Sequence, residues 1–288
     1  MTTLDSDSDR LAQAAHAELV ATPAAASGAP ADGSGATGTG AALSGTHGDA
    51  HACGTGHAET GDTAHTAHAA PAVADRREAL IHYTVAFIGG FLGVFPVVSA
   101  AQAFGSAQTM NLIDSIVLAV GCDWQTMLWH VGGAALYALA VILATVLQRR
   151  TKRDVRLAAL AVDAVAAFVM WRLPAAAQKM AHFPLILYLY PTFFAMPFQW
   201  CAFKGAYGFT SSTIFSSNNF RQFFSALTEV YINGDKRFSL KARFFGCTLL
   251  AFHAGVALSC LLLRSLGSAG ILPALVPIAV AAVLIVRV

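Results

Sequence analysis

The chain has 288 residues, 56% hydrophobic and 12% charged, about half the charge of an ordinary soluble domain. A net charge of +2 conceals an imbalance: residues 1–78 hold ten acids and three bases (−7), whereas residues 79–288 hold six acids and fifteen bases (+9). A single soluble globular domain is excluded, and so is nucleic-acid binding, because the bases form short clusters between apolar runs and no continuous stripe.

No aromatic residue precedes Tyr83 and no isoleucine precedes Ile81. Residues 1–78 are mostly Ala, Gly, Thr, Ser, His and Asp. Such a segment buries too little apolar surface to offset its conformational entropy, so a disordered cytoplasmic tail is expected. It has no positively charged start and no apolar core, so it is not a signal peptide. Within it, His47, His51, Cys53, His57, His65 and His68 are metal-ligating types, but their spacing matches no closed zinc pattern. A His-biased linker is the expected state.

The texture changes at Leu80. Between Ala79 and Gln148 only Asp114 and Asp123 are charged. A membrane-crossing helix needs about 20 mostly apolar residues. Six windows qualify: Leu80–Ala103, Thr126–Leu147, Val155–Trp171, His182–Phe203, Leu240–Leu263 and Ala269–Val286. Two shorter segments, Thr109–Val120 and Thr213–Tyr231, follow polar clusters and are expected not to cross. Charge supports this. Arg149, Arg150, Lys152, Arg153 and Arg156 form one basic loop, and Lys236, Arg237, Lys241 and Arg243 form another. Six crossings put both loops and both termini on the cytoplasmic side, as basic residues prefer.

A weak internal repeat accompanies this pattern. Gln108-Thr109-Met110-Asn111 follows the first window and Thr213…Ser217-Asn218-Asn219-Phe220-Arg221 follows the fourth. Asn111 and Asn219 lie 108 residues apart. The fold class is therefore an all-α integral membrane protein. Its six transmembrane helices form a 3+3 inverted repeat, and each half has a short non-spanning helix after a polar elbow. Inverted repeats with interrupted helices are common in secondary transporters; ordinary interfacial helix caps are the plainer alternative.

At these elbows the chain resembles the YoaK family of bacterial integral membrane proteins, a family of unknown function. The resemblance rests on Gly89-Gly90-Phe91-Leu92-Gly93, on Gln108-Thr109-Met110-Asn111, and on Ser212-Thr213 with Ser217-Asn218-Asn219-Phe220-Arg221, and covers residues 80–265. Gly93 stands where the family has an Asp, and Met110 and Asn218 stand where both elbows have glycine. The resemblance implies a multi-pass protein of the bacterial plasma membrane and no particular chemistry.

Two polar residues sit deep in apolar windows: Asp163 in the third and His253 in the fifth. Mid-membrane charge is costly and seldom idle, so they are the candidates for proton coupling; interhelical hydrogen bonds are the structural alternative. Gln199 and His130 are read as helix contacts. Cys122, Cys201, Cys247 and Cys260 lack CxxC spacing and read as small buried hydrophobes. No nucleotide loop, HExxH or GxSxG motif occurs. No catalytic residue, cofactor or metal is expected. The expected function is movement of a small polar solute held by Gln108, Thr109, Asn111, Thr213, Asn219 and Arg221. A non-transporting interaction module is the alternative, and an intramembrane enzyme using Asp163 and His253 a third. The bilayer is the obligatory partner, and a homo-oligomer is compatible with the sequence.

Overall fold

Apolar runs rich in Ala, Leu, Val and Phe form the helices of this computed structural model, which describes residues 73–99, 103–151 and 154–287. The expectations for residues 1–72, including the histidine cluster, lie outside the described residues. In chain order the elements are α1 (Val73–Gly93), α2 (Phe95–Val98), α3 (Gln108–Val120), α4 (Trp124–Arg150), α5 (Val155–Ala177) and α6 (Tyr190–Ala202). A hairpin of β1 (Gly205–Ala206) and β2 (Phe209–Thr210) follows, then α7 (Ser217–Tyr231), α8 (Ser239–Leu266) and α9 (Leu275–Val286). The antiparallel hairpin, paired Gly205 to Thr210 and Ala206 to Phe209, is a small departure from the all-helical expectation.

Four stretches are long and apolar enough to cross a membrane: Val73–Val98, Trp124–Arg150, Val155–Ala177 and Lys236–Val286. The helices are those of a membrane protein. The number four differs from the six windows of the sequence for two physical reasons. The window at His182–Phe203 carries Pro184, Pro191 and Pro197, and resolves into a 3-10 stretch (Leu185–Leu189) and a 13-residue helix. Proline removes a backbone donor and interrupts regular helix. The last stretch spans 51 residues but reverses. After Gly267 a 3-10 segment, Gly267–Ala274, folds back so closely that a Cβ on Gly270 would strike the Leu262 backbone.

Contacts at the helix ends fix their directions. The start of α5 meets the start of α1 through Arg156 Nη1 and Glu78 Oε2, 2.7 Å apart. The end of α9 returns there too, where the Arg77 guanidinium donates to the Leu284 carbonyl. Ala79 near the start of α1 packs with Phe244 and Phe245 near the start of α8. Gln148 Nε2 at the end of α4 donates to the Cys201 carbonyl at the end of α6, 2.7 Å away. Glu78, Arg156 and Lys204 line one small cavity. So α1, α5 and α8 start at one end of the bundle, and α4, α6 and α9 finish there. Arg76, Arg77, Arg149, Arg150, Arg156, Lys241 and Arg243 therefore gather at that end.

Packing comes in matched pairs: α1 lies on α8 and α6 on α4; α3 lies on α4 and α7 on α8; α5 lies on α6 and α9 on α1. The tightest crossing, α1 on α8, is made by glycine. A Cβ on Gly90 would collide with the Phe252 carbonyl, and one on Gly255 with the Phe87 carbonyl. Small residues bring apolar helices into backbone contact, where dispersion replaces the hydrophobic effect as the adhesive. Phe91, Phe95, Leu92, Ile88 and Met170 fill the core around this crossing.

Candidate functional site

The two polar elbows meet. The first, just before α3, is tied to α1 where the Gly105 N–H donates to the Gly93 carbonyl, 2.8 Å away. Its Ser106, 3% exposed, donates from Oγ to the carbonyl of Ile214 in the second elbow, at 2.9 Å. The second elbow, Ser211 to Ile214, is buried throughout. It lies against α1 at Gly89, where a Cβ would overlap the Thr213 carbonyl oxygen. Gln199 of α6 donates from Nε2 to Thr213 Oγ1 at 2.7 Å and to the Val85 carbonyl of α1 at 3.3 Å. One amide thus ties two helices and an elbow together, and its Oε1 has no partner among the described residues.

Each elbow is followed by a buried asparagine in the first turn of the short helix. Asn111 donates from Nδ2 to the His130 carbonyl of α4 at 3.0 Å, and lies 3.5 Å from Gln108 Oε1. A backbone carbonyl only accepts, so the amide nitrogen must face it. Asn111 Oδ1 is left buried without a partner among the described residues. Asn219 donates from Nδ2 to the carbonyls of Ser212 (2.6 Å) and Phe215 (3.2 Å). Its Oδ1 accepts from Ser211 Oγ at 3.0 Å. Because the Ser211 proton is used there, His82 Nε2, 3.0 Å from the same hydroxyl, carries the hydrogen of that second bond. His82 Nδ1 then remains a bare acceptor, and it has no partner among the described residues.

A cavity of about 700 Å³ opens beside the first elbow, enclosed by α3, the start of α4 and the segment before α6. It lies at the end of the bundle away from the basic cluster, because α4 rises ~40 Å between Trp124 and Arg150. Asn111, Asp114, Trp129, His130 and His182 are among its lining residues. Asp123 caps α4 beside it, accepting from the Thr126 N–H at 3.1 Å. Hydrogen bonds from Thr126 hold the Asp123 carboxyl below its ordinary value. A small cavity, about 220 Å³, lies at the basic end between Glu78, His82, Arg156 and Lys204.

Of the six elbow residues the sequence singles out, Asn111 alone lines the larger cavity. Thr213 and Asn219 are sealed inside the second elbow. Gln108 is half-buried and Thr109 exposed. Arg221 is exposed and bonded to Asn218 Oδ1 at 3.2 Å, so no cation faces the larger cavity from that set. Asp163 is fully buried and neither carboxylate oxygen has a hydrogen-bond partner among the described residues. His253 is exposed on α8, with Nδ1 against the Leu249 carbonyl at 2.8 Å. No hydrogen bond joins Asp163 and His253. Among the described residues no group of three His, Cys, Asp or Glu is placed to hold a metal.

Sequence reasoning passed over Ser106, Ser211, His82 and Asp114. A signal existed for Ser106: its partner, Ile214, lies 108 residues on, the same offset as the two asparagines.

No curated protein and no solved structure matches the chain. One family does, over residues 81–284, from the first turns of α1 to the last turn of α9. Both elbows and the larger cavity fall within that match, and the chain belongs to the family described as protein of unknown function, DUF1275.

Proposed function

We propose that this protein is a YoaK-type transporter of the bacterial plasma membrane that moves a small polar solute past its two elbows. In this reading α1–α2, α4, α5, the segment from Leu185 through α6, α8 and the returning segment through α9 make six passes. The basic end faces the cytoplasm, with both termini, as the positive-inside rule favours. The matched packing pairs support an inverted repeat that exchanges α1 with α6, α3 with α7, α4 with α8 and α5 with α9.

One observation carries the proposal: the Ser106–Ile214 bond joins the two elbows inside the bundle. The short helices α3 and α7 start at that junction and run to opposite ends, as discontinuous helices do around a transporter's solute site. The cavity beside the first elbow and the small cavity at the basic end lie on opposite sides of it, consistent with alternating access from a fixed centre. No catalytic constellation is assigned.

The test is a growth and uptake screen over a panel of polar solutes in cells overexpressing the wild type, the Asn111→Ala variant or an empty vector. The reading expects at least one solute whose uptake or tolerance changes with the wild type and reverts with Asn111→Ala. Indistinguishable profiles for all three, with the protein present in the membrane, would overturn it.

A further inference from the structure

We infer that the cavity beside the first elbow is a binding site for a small organic ammonium ion. The inference deepens the transport reading by naming a substrate class, and rests on that reading only in treating the cavity as its outer vestibule.

The α3 side of the wall offers acceptors. Asn111, 2% exposed, spends its amide nitrogen on the His130 carbonyl, so the group it has left is an acceptor, Oδ1. Leaving such a group buried and unmatched is unfavourable, and its residue lines the cavity. Asp114 lies three residues further on, on the same helical face of α3. Its carboxylate lines the cavity and forms no ion pair among the described residues. His130 Nδ1 is also buried without a partner among the described residues. Among the described residues no Lys or Arg lines the cavity. The N-terminus of α3 contributes roughly half a positive charge, which the full charge of Asp114 outweighs.

The remaining wall specifies the body of the ligand. Trp129 and Phe183 present aromatic surface, which attracts cations by the ring quadrupole, and Gln125, Thr126, His182 and aliphatic side chains complete the lining. A volume of about 700 Å³ is far larger than a bare metal ion or ammonium needs, and falls in the range of organic-ligand pockets. The fit is a primary ammonium on an apolar or aromatic body: N–H donors to the Asp114 carboxylate, carbon skeleton on Trp129 and Phe183.

The probes are phenethylammonium and 3-phenylpropanoate, which share a skeleton and differ in the sign of charge. Titration calorimetry on the purified full chain in detergent should show saturable binding of phenethylammonium and none of 3-phenylpropanoate. Asp114→Asn should weaken phenethylammonium binding by about ten-fold or more, the scale of a lost charge-assisted hydrogen bond. Asp114→Glu, which keeps the charge, should retain most of it, and also serves if the Asn variant does not fold. Equal binding of the two probes, binding unchanged in Asp114→Asn, or no binding of phenethylammonium would each overturn the assignment. Flux in proteoliposomes separates the two levels. Binding without flux would leave the ammonium site standing and count against transport; flux of another solute without ammonium binding would do the reverse.

Discussion

Gly89→Ala would place a methyl group where α1 and the second elbow already touch. Its Cβ would overlap the Thr213 carbonyl oxygen and lie 3.1 Å from the carbonyl carbon and 3.2 Å from Gln199 Nε2. A backbone carbonyl cannot swing aside as a side-chain tip can. Restoring ordinary carbon–oxygen separation, about 3.3–3.6 Å, requires the elbow or the helix to move by roughly 1 Å. That motion strains the Gln199–Thr213 bond (2.7 Å) and the Ser106–Ile214 bond (2.9 Å), both buried. Overpacking costs about 1–3 kcal/mol and one weakened buried hydrogen bond about 1 kcal/mol more. At about 2–4 °C per kcal/mol for a domain of this size, Tm should fall by roughly 4–16 °C. Scanning fluorimetry of the full chain in detergent measures it, with Gly121→Ala as reference. Gly121 ends α3 at φ −77°, and a Cβ there meets nothing closer than 3.4 Å. Equal Tm values for the two variants would refute the close elbow contact.

Gly255→Leu should force α8 off the Phe87 backbone of α1; size-exclusion chromatography should show loss of the monodisperse species. Asn219→Leu strands the Ser212 carbonyl and the Ser211 hydroxyl, a cost of roughly 2–4 kcal/mol, whereas exposed Arg221→Ala should stay within about 0.5 kcal/mol; thermal unfolding compares them. Asp154→Ala removes the N-cap of α5, which accepts from the Arg156 N–H at 2.9 Å, worth about 1 kcal/mol. Burial opposes ionisation of Asp154, yet the hydrogen bonds from Arg156 hold its carboxyl below the ordinary 3.8. The folded value is depressed, so the stabilisation is complete above the ordinary value and is lost as pH falls through the folded one. Wild type and Asp154→Ala should therefore differ in Tm at pH 7 and converge below pH 3.8.

Apolar length is a local property, and the sequence carries it plainly. The windows at Thr126–Leu147 and Leu240–Leu263 fall inside α4 and α8, and the short window at Thr109–Val120 coincides with α3 to within one residue. The sequence places the start of the first window at Leu80, but α1 begins at Val73. Its first turns carry Arg77 and Glu78, whose partners, Leu284 and Arg156, lie far along the chain. The elbows were marked by their Thr and Asn residues, but not their geometry. Asn111 and Asn219 each bond backbone carbonyls, which no composition reveals, and so Asn111 ends with a free acceptor while Asn219 is fully engaged. His253 sits mid-window in sequence yet faces outward, because position along a helix does not fix which side meets a neighbour.

Side-specific labelling tests the inverted arrangement most directly. Single cysteines at Thr151 and Asn233, and at Gln178 and Ala269, would be introduced into a cysteine-free chain and exposed to an impermeant maleimide in right-side-out vesicles. The account predicts that Gln178→Cys and Ala269→Cys react at once, and that Thr151→Cys and Asn233→Cys react only after the membrane is opened. Labelling of Thr151→Cys and Asn233→Cys from opposite faces would contradict it, because the two halves would then not cross the membrane in opposite senses.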